Sequence, residues 1–191
     1  MINMDDAKTF LLLLAKGEDD KFTFQTFDDS PMRRKELAKI LHGSLEAHAA
    51  TLAKLNDQGA GIFVTINQTD LKGRKAENIV ALRAAFVDSD CGDIDTPGAS
   101  MIIQSSRGIH AYWLLENYDD LELFSRLQKT LAHHLGTDPS VSDLSRVMRL
   151  PGFYHRKDPE NPFLVFLKTV DNVRYSIHDL YESYPPFEEG I

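Results

Sequence analysis

The chain has 191 residues, 42% of them hydrophobic and 26% charged, the composition of a folded domain long enough to bury one core. A net charge of −8 argues against a passive nucleic-acid coat but leaves open an enzyme that gathers its basic residues in one cleft. A lone cysteine, Cys91, excludes an internal disulfide and a cysteine-based zinc site. The apolar run Phe10 to Ala15 is too short for a membrane span and lacks the flanks of a signal peptide, so a cytoplasmic protein is expected.

Along the chain, "NMDDAKTFLLLLAKGED" predicts a short helix with Asn3 or Asp5 as cap and Gly17 as stop. "KFTFQTF" alternates like a half-buried strand. Ser30-Pro31 opens a helical segment to about Asn56, with Leu37, Ile40, Leu41, Leu45, Leu52 and Leu55 at helical spacing and Gly43 as a break point. Arg33, Arg34 and Lys35 fall on the solvated start of that helix. "IFVTIN" reads as a strand, "QTDLKGRK" as a polar loop carrying Lys72, Arg74 and Lys75, and "AENIVALRA" as a short helix leading into the strand "AAFV". A hairpin follows, "SMIIQSS" and "IHAYWLLE" around Arg107-Gly108. "YDDLELFSRLQKTLAHHL" predicts an amphipathic helix ended by Gly136, with His133 and His134 in its last turn. "VMRL" and "PFLVFLKT" are strands and "SIHDLYESY" a last helix; Trp113, Phe163 and Phe166 are assigned to the core. Strands and helices without strict alternation predict an α+β fold around a mostly antiparallel sheet.

Chemistry concentrates in three places. In "AAFVDSDCGDID" a buried strand turns acidic with no turn residue between. Residues two apart on a strand point the same way, so Asp88 and Asp90 share a side. Two adjacent carboxylates raise one pKa unless a cation sits between them, and hard divalent ions such as Mg²⁺ or Mn²⁺ suit oxygen ligands. Taken alone, the pattern fits an acidic loop as well. Next, "QSSRGIHAYW" puts His110 on a strand beside a turn offering Ser105, Ser106 and Arg107 to an anion. The third segment, "TDPSVSDLSRVMRLPGFYHRK", gathers Asp138, Asp143, Arg146, Arg149, His155, Arg156 and Lys157. Arg149 sits inside an apolar strand and therefore needs an anionic partner.

In order, "FVDSD", "SSRGIHAYW" and "DPSVSDLSRVMRLPGFYHRK" resemble the three motifs of the archaeo-eukaryotic primase (AEP) superfamily, in the form found in RepB-type plasmid and mobile-element primases. "GAGIFVTINQTDLKGRKAENI" is similar to the strand and loop before the first motif there, and the resemblance spans about residues 22–169. It implies an RRM-like, mostly antiparallel catalytic sheet with an added N-terminal α/β unit. On this reading residues 1–191 form one catalytic domain: an N-terminal part to about residue 60, a core over about 60–170 and a C-terminal helix over about 176–184, as a module of a longer protein. The implied activity is template-directed nucleotidyl transfer, a DNA primase or primase-polymerase in replication, with two Mg²⁺ or Mn²⁺ ions, NTP or dNTP, a single-stranded DNA template and a helicase or helical accessory domain as partners. Carried over by residue, Asp88, Asp90 and Asp138 would hold metal, with Asp143 as the fallback third carboxylate. His110 would act at the triphosphate beside Ser105, Ser106 and Arg107; Arg149, His155 and Lys157 would contact phosphates, and Lys72, Arg74, Lys75 and Arg156 the nucleic acid. Two departures stand out: the cysteine cluster of the zinc-bearing relatives is absent, and no long helical domain follows "SIHDLYESY". A catalytically idle initiator module or a two-metal nuclease are the alternatives.

Overall fold

A computed structural model describes residues 1–15 and 21–187. Asn3 starts α1 (Met4–Ala15) by accepting the backbone N–H groups of Asp5 and Asp6 on its Oδ1, satisfying donors that a helix start leaves open. The stop read at Gly17 lies outside the described residues.

β1 (Phe22–Asp28) pairs antiparallel with β2 (Lys39–Gly43) on one side and β3 (Ala60–Thr65) on the other. A strand so placed is central, and Phe22 to Thr26 are buried on both faces rather than half-buried. Its polar side chains are satisfied accordingly: Thr23 bonds Thr69 and His42, and the Thr26 hydroxyl donates to Leu37 O. The predicted long helix from Ser30 is only half there. α2 (Leu45–Asp57) is helical and capped by Ser44, whereas residues 35–37 make a single 3₁₀ turn and β2 is extended. Backbone pairing along β1 outweighs the helical spacing, and Thr26 Oγ1 and the Gln25 amide lock the chain at Leu37 and Lys39.

β4 (Gln68–Thr69) leads through a loop and one 3₁₀ turn at Ala76–Asn78 into β5 (Ile79–Ser89). The helix read at "AENIVALRA" is therefore the start of an eleven-residue strand, because β5 finds a long partner in β7 (Ile109–Tyr118). β6 (Met101–Gln104) completes the hairpin with β7. α3 (Leu123–Leu135) packs on β5, where the Gln128 amide bonds both N–H and C=O of Phe86. Gly136 ends it with a φ of 67°, a left-handed conformation favourable to glycine. β8 (Val147–Arg149), β9 (Tyr154–His155), β10 (Phe163–Leu164), β11 (Phe166–Val170), β12 (Arg174–Tyr175) and α4 (Ile177–Ser183) follow.

Two sheets result. The first runs β2-β1-β3-β8 and the second β11-β6-β7-β5-β4, with β12 added parallel to β7; β9 and β10 form a ribbon of their own. The α+β, mostly antiparallel class is as expected, and β8 ties the third chemical segment to the N-terminal sheet through β3. Trp113 is in the core and Phe163 packs at its edge, but Phe166 is exposed. Among the described residues no helix is long and apolar enough to cross a membrane.

Candidate active site

The register of two strand pairs assembles the site. β5 against β7 sets Asp88 opposite His110, and β3 against β8 sets Phe63 opposite Arg149. Between them lies a cavity of about 360 Å³. The second sheet lines it with Asp88, Asp90, His110 and the turn Ser105–Arg107; the first with Asp29, Phe63 and Val147–Arg149; His155 at the end of β9 and Lys157 just after it close the pocket. Three segments far apart in sequence thus meet at one pocket.

The turn must lie close for this to happen. At Gly108 an added Cβ would stand 1.8 Å from Ser89 O, so only glycine lets the hairpin press against the end of β5. Ser105 spends its hydroxyl on this turn, bonding Gly108 N–H and C=O. Ser106 instead reaches across to His155, Oγ to Nδ1 at 2.8 Å, and Arg107 Nη2 approaches Asp90 Oδ2 at 3.4 Å.

The acids and imidazoles are electrostatically displaced from their usual states. Burial, reinforced by Asp90, pushes the Asp88 carboxyl up to about 6 against the opposing pull of Arg107, Arg146 and Arg149. Its Oδ1 is buried without a hydrogen-bond partner, and His110 Nε2 is 3.5 Å away. Burial and then Arg149 push His110 down to about 4, so this ring is neutral at pH 7, with Nδ1 buried and unbonded. His155 is lowered for the same two reasons, in the same order. An orphaned carboxylate oxygen beside a second carboxylate is the donor set a hard divalent cation takes up. Among the described residues, no cluster of three His, Cys, Asp or Glu side chains is arranged to hold a metal, so phosphate oxygens and water would have to supply the other ligands, as is usual for Mg²⁺.

Arg149 has a partner that the sequence left unnamed. Its Nη2 and Nη1 bind Asp29 Oδ1 and Oδ2 at 2.7 and 3.1 Å, and its guanidinium lies 4.6 Å from the centre of the Phe63 ring. Asp29 also accepts the backbone N–H of Arg156 at 2.8 Å. A Cβ at Gly61 would come within 2.5 Å of Asp29 Oδ1 and 2.6 Å of Arg149 Nη1, so the clamp needs glycine there. The only hint in the sequence was an acidic pair directly after a strand, in "TFDDS".

Other expected residues stand elsewhere. Asp138 and Asp143 do not line the pocket. Asp138 Oδ1 accepts Ser140 N–H in a local turn, while Asp143 pairs with Arg146 at 2.7 Å. The Arg156 side chain turns to Asp57 and the Tyr154 ring, and Asp93 binds Lys168. Lys72, Arg74 and Lys75 lie in the loop before β5, with Arg74 over the Phe27 ring. Arg34 is no solvated helix residue but closes on Asp28 at 2.8 Å. At the end of α3, His133 stacks on Phe187 and His134 bonds Pro185 O.

This two-sheet fold is that of solved AEP-type primase structures. The AEP domain of the cyanophage S-2L primase-polymerase matches 96% of this chain and 99% of its own, with a TM-score of 0.78 at 21% identity. The crystal structure of primase RepB′ matches 94% of this chain and 62% of its own, with a TM-score of 0.68 at 16% identity. The catalytic domain of primase RepB′ in complex with initiator DNA matches 93% of both chains, with a TM-score of 0.67 at 18% identity. In sequence, a replication protein of Clostridium perfringens is 25% identical over 156 residues, which is 70% of this chain and 36% of that protein; the chain therefore spans about a third of that relative's length. The family profile of the RepB DNA-primase N-terminal domain matches residues 53–182. The chain belongs to that family.

Proposed function

We propose that this chain is the catalytic domain of a template-directed nucleotidyltransferase, a DNA primase or primase-polymerase dependent on two divalent ions. One observation carries the reading: a single pocket joins two carboxylates, one with an orphaned buried oxygen, to a wall of cations sized for a polyphosphate. Asp88 and Asp90 would hold the ions, Mg²⁺ or Mn²⁺, which when bound lower the pKa of a primer 3′-hydroxyl and neutralise charge on the transferring phosphate.

The remaining work falls to the chain's own groups. Arg149, oriented by Asp29 and the Phe63 face, presents its remaining N–H groups to the triphosphate at a fixed angle. Lys157 and Arg107 add charge from exposed positions at the rim, and His155 is held by Ser106 so that its other nitrogen is free to meet a phosphate. His110, neutral and buried, contributes a hydrogen bond without adding charge next to the metal-binding acids. Such preorganised contacts carry most of the catalysis in phosphoryl transfer. Neither carboxylate expected as the third ligand lines the pocket; of the two, Asp143 acts as a positioning residue rather than a ligand, since it is tied to Arg146, whose charge already acts on Asp88, whereas Asp138 is held in a local turn. A single-stranded DNA template fits the family, since the RepB′ catalytic domain was crystallised with initiator DNA. Residues 1–191 act on this reading as one catalytic module, which other segments of a longer protein, a helicase or helical domain, would complete.

Primer extension with Mn²⁺ and labelled nucleotides tests the proposal. Wild type incorporates, and Asp88→Ala and Asp90→Ala lose activity by on the order of 10²-fold or more. Equal incorporation by all three removes the carboxylates from the mechanism, and loss of DNA without added nucleotide points to a nuclease.

A further inference from the structure

The pocket wall continues beyond Arg149. Phe63, which carries the Arg149 guanidinium on its ring, meets the Phe27 ring edge-on at 5.7 Å, and the Arg74 guanidinium stands 5.8 Å from the centre of Phe27. The sheet explains the alignment. Phe27 on β1 is opposite Gly61 and Gln25 is opposite Phe63 on β3, so the two phenyl rings are diagonal neighbours on one face. The result is a row, Arg149–Phe63–Phe27–Arg74, from the triphosphate side of the pocket to the loop before β5.

Three features of this row point to a ligand. Phe27 is 38% exposed, although Phe22 to Thr26 on the same strand are buried. Three carboxylates nearby that would repel a polyanion are already engaged, Asp28 by Arg34, Asp29 by Arg149, and Asp70 by the Lys72 N–H and the Asn78 amide, which leaves the exposed Glu77 against the three cations of the loop. Lys72, Arg74 and Lys75, by contrast, form no ion pair with a described carboxylate. Alternating π-faces and cations beside a basic loop suit unpaired bases and the phosphates that link them. A duplex, whose bases are already stacked, would gain only the charge.

We propose that the Phe27–Phe63 row, flanked by Arg74 and Arg149, is the stacking platform for a single-stranded nucleic acid running into the pocket, with Lys72, Arg74 and Lys75 following its backbone. This rests on the polymerase reading of the pocket and names where its template lies.

Fluorescence anisotropy with a labelled oligothymidylate tests it on wild type, Phe27→Ala, Phe27→Trp and Arg74→Ala. Phe27→Ala should weaken binding about tenfold or more at every salt concentration, leaving the slope of log affinity against log salt unchanged. Arg74→Ala should reduce that slope by about one. The emission of Phe27→Trp should be quenched by the oligonucleotide and not by duplex; the native Trp113 is fully buried and supplies a constant background. Stabilisation by nucleotide and Mn²⁺, measured by melting on the same proteins, reports on the pocket separately. If wild type gains no such stabilisation, the polymerase reading fails while loss of oligonucleotide binding in Phe27→Ala still supports the platform. If nucleotide stabilises all variants and both Phe27→Ala and Arg74→Ala bind oligonucleotide as wild type does, the platform is overturned. The exposed Phe27, Met32 and Ile40 would then fall to a protein partner.

Discussion

Replacing Asp29 by Asn probes the clamp that sets Arg149. The carboxylate is 4% exposed and the guanidinium 17%, so little water is available to replace the partner. Removing one member of a fully buried ion pair costs about 3–5 kcal/mol, because the other charge stays behind unpaired. Arg149 borders an open pocket, and Asn retains one acceptor for the Arg156 N–H, which together lower the loss to about 2–3 kcal/mol. At this chain length each kcal/mol moves the melting point by about 2–4 °C, so Asp29→Asn should melt about 5–10 °C below wild type. The pocket reading adds a second, sharper expectation. A triphosphate is itself a counter-charge for the freed guanidinium, so nucleotide with Mn²⁺ should raise the melting point of the variant by more than it raises that of wild type. Differential scanning calorimetry with and without nucleotide measures both. A variant that melts within about 1 °C of wild type, or whose deficit is the same with and without nucleotide, refutes the reasoning.

Asp88 gives a prediction with a definite sign. Its folded pKa of about 6 lies above the ordinary 3.8, so its charge costs stability that grows as pH rises through this interval and is complete above it. Metal-free Asp88→Asn should therefore be more stable than wild type at pH 7, by about 1–2 kcal/mol after allowing for the partial exposure of the carboxylate, and no more stable at pH 4; denaturant melts at both pH values decide. Mn²⁺ affinity, followed by titration calorimetry, should fall as pH drops below about 6, since the ion must displace a proton from Asp88. In primer extension Asp143→Asn should lose about tenfold or more and Asp138→Asn should stay close to wild type; the reverse order would return Asp138 to the site. Gly108→Ala should destabilise by about 2 kcal/mol or more, because its Cβ would collide with Ser89 O and the turn must move, with a correspondingly lower melting point.

Much of the layout was legible in the chain. The α+β class, the Arg107-Gly108 hairpin and the helix ending at Gly136 follow from local patterns, and of the residues singled out in the three motif segments Asp88, Asp90, His110, Arg149, His155 and Lys157 line one pocket while Asp138 and Asp143 do not. What failed to show depends on partners far along the chain. Residues 35–43 carry helical spacing, but β1 offers them a ladder, and the side chains of Gln25 and Thr26 hold them to it. "AENIVALRA" has too few turn signals to distinguish a helix from the start of a strand that extends only because β7 is nearly as long. Arg149 plainly needed an anion, yet that its resident partner is Asp29, 120 residues away, could not be read from spacing. The same is true of the Phe27–Phe63 pair, whose two rings come from strands that become neighbours only in the folded sheet. Local chemistry was readable and long-range pairing was not.

A crystal structure with Mn²⁺ and a non-hydrolysable deoxynucleotide is the most direct test of the central claim. Anomalous density should place Mn²⁺ on Asp88 and Asp90, with the triphosphate lying against Arg149 and His155. Metal bound away from both aspartates, or a nucleotide seated outside this pocket, would contradict the account.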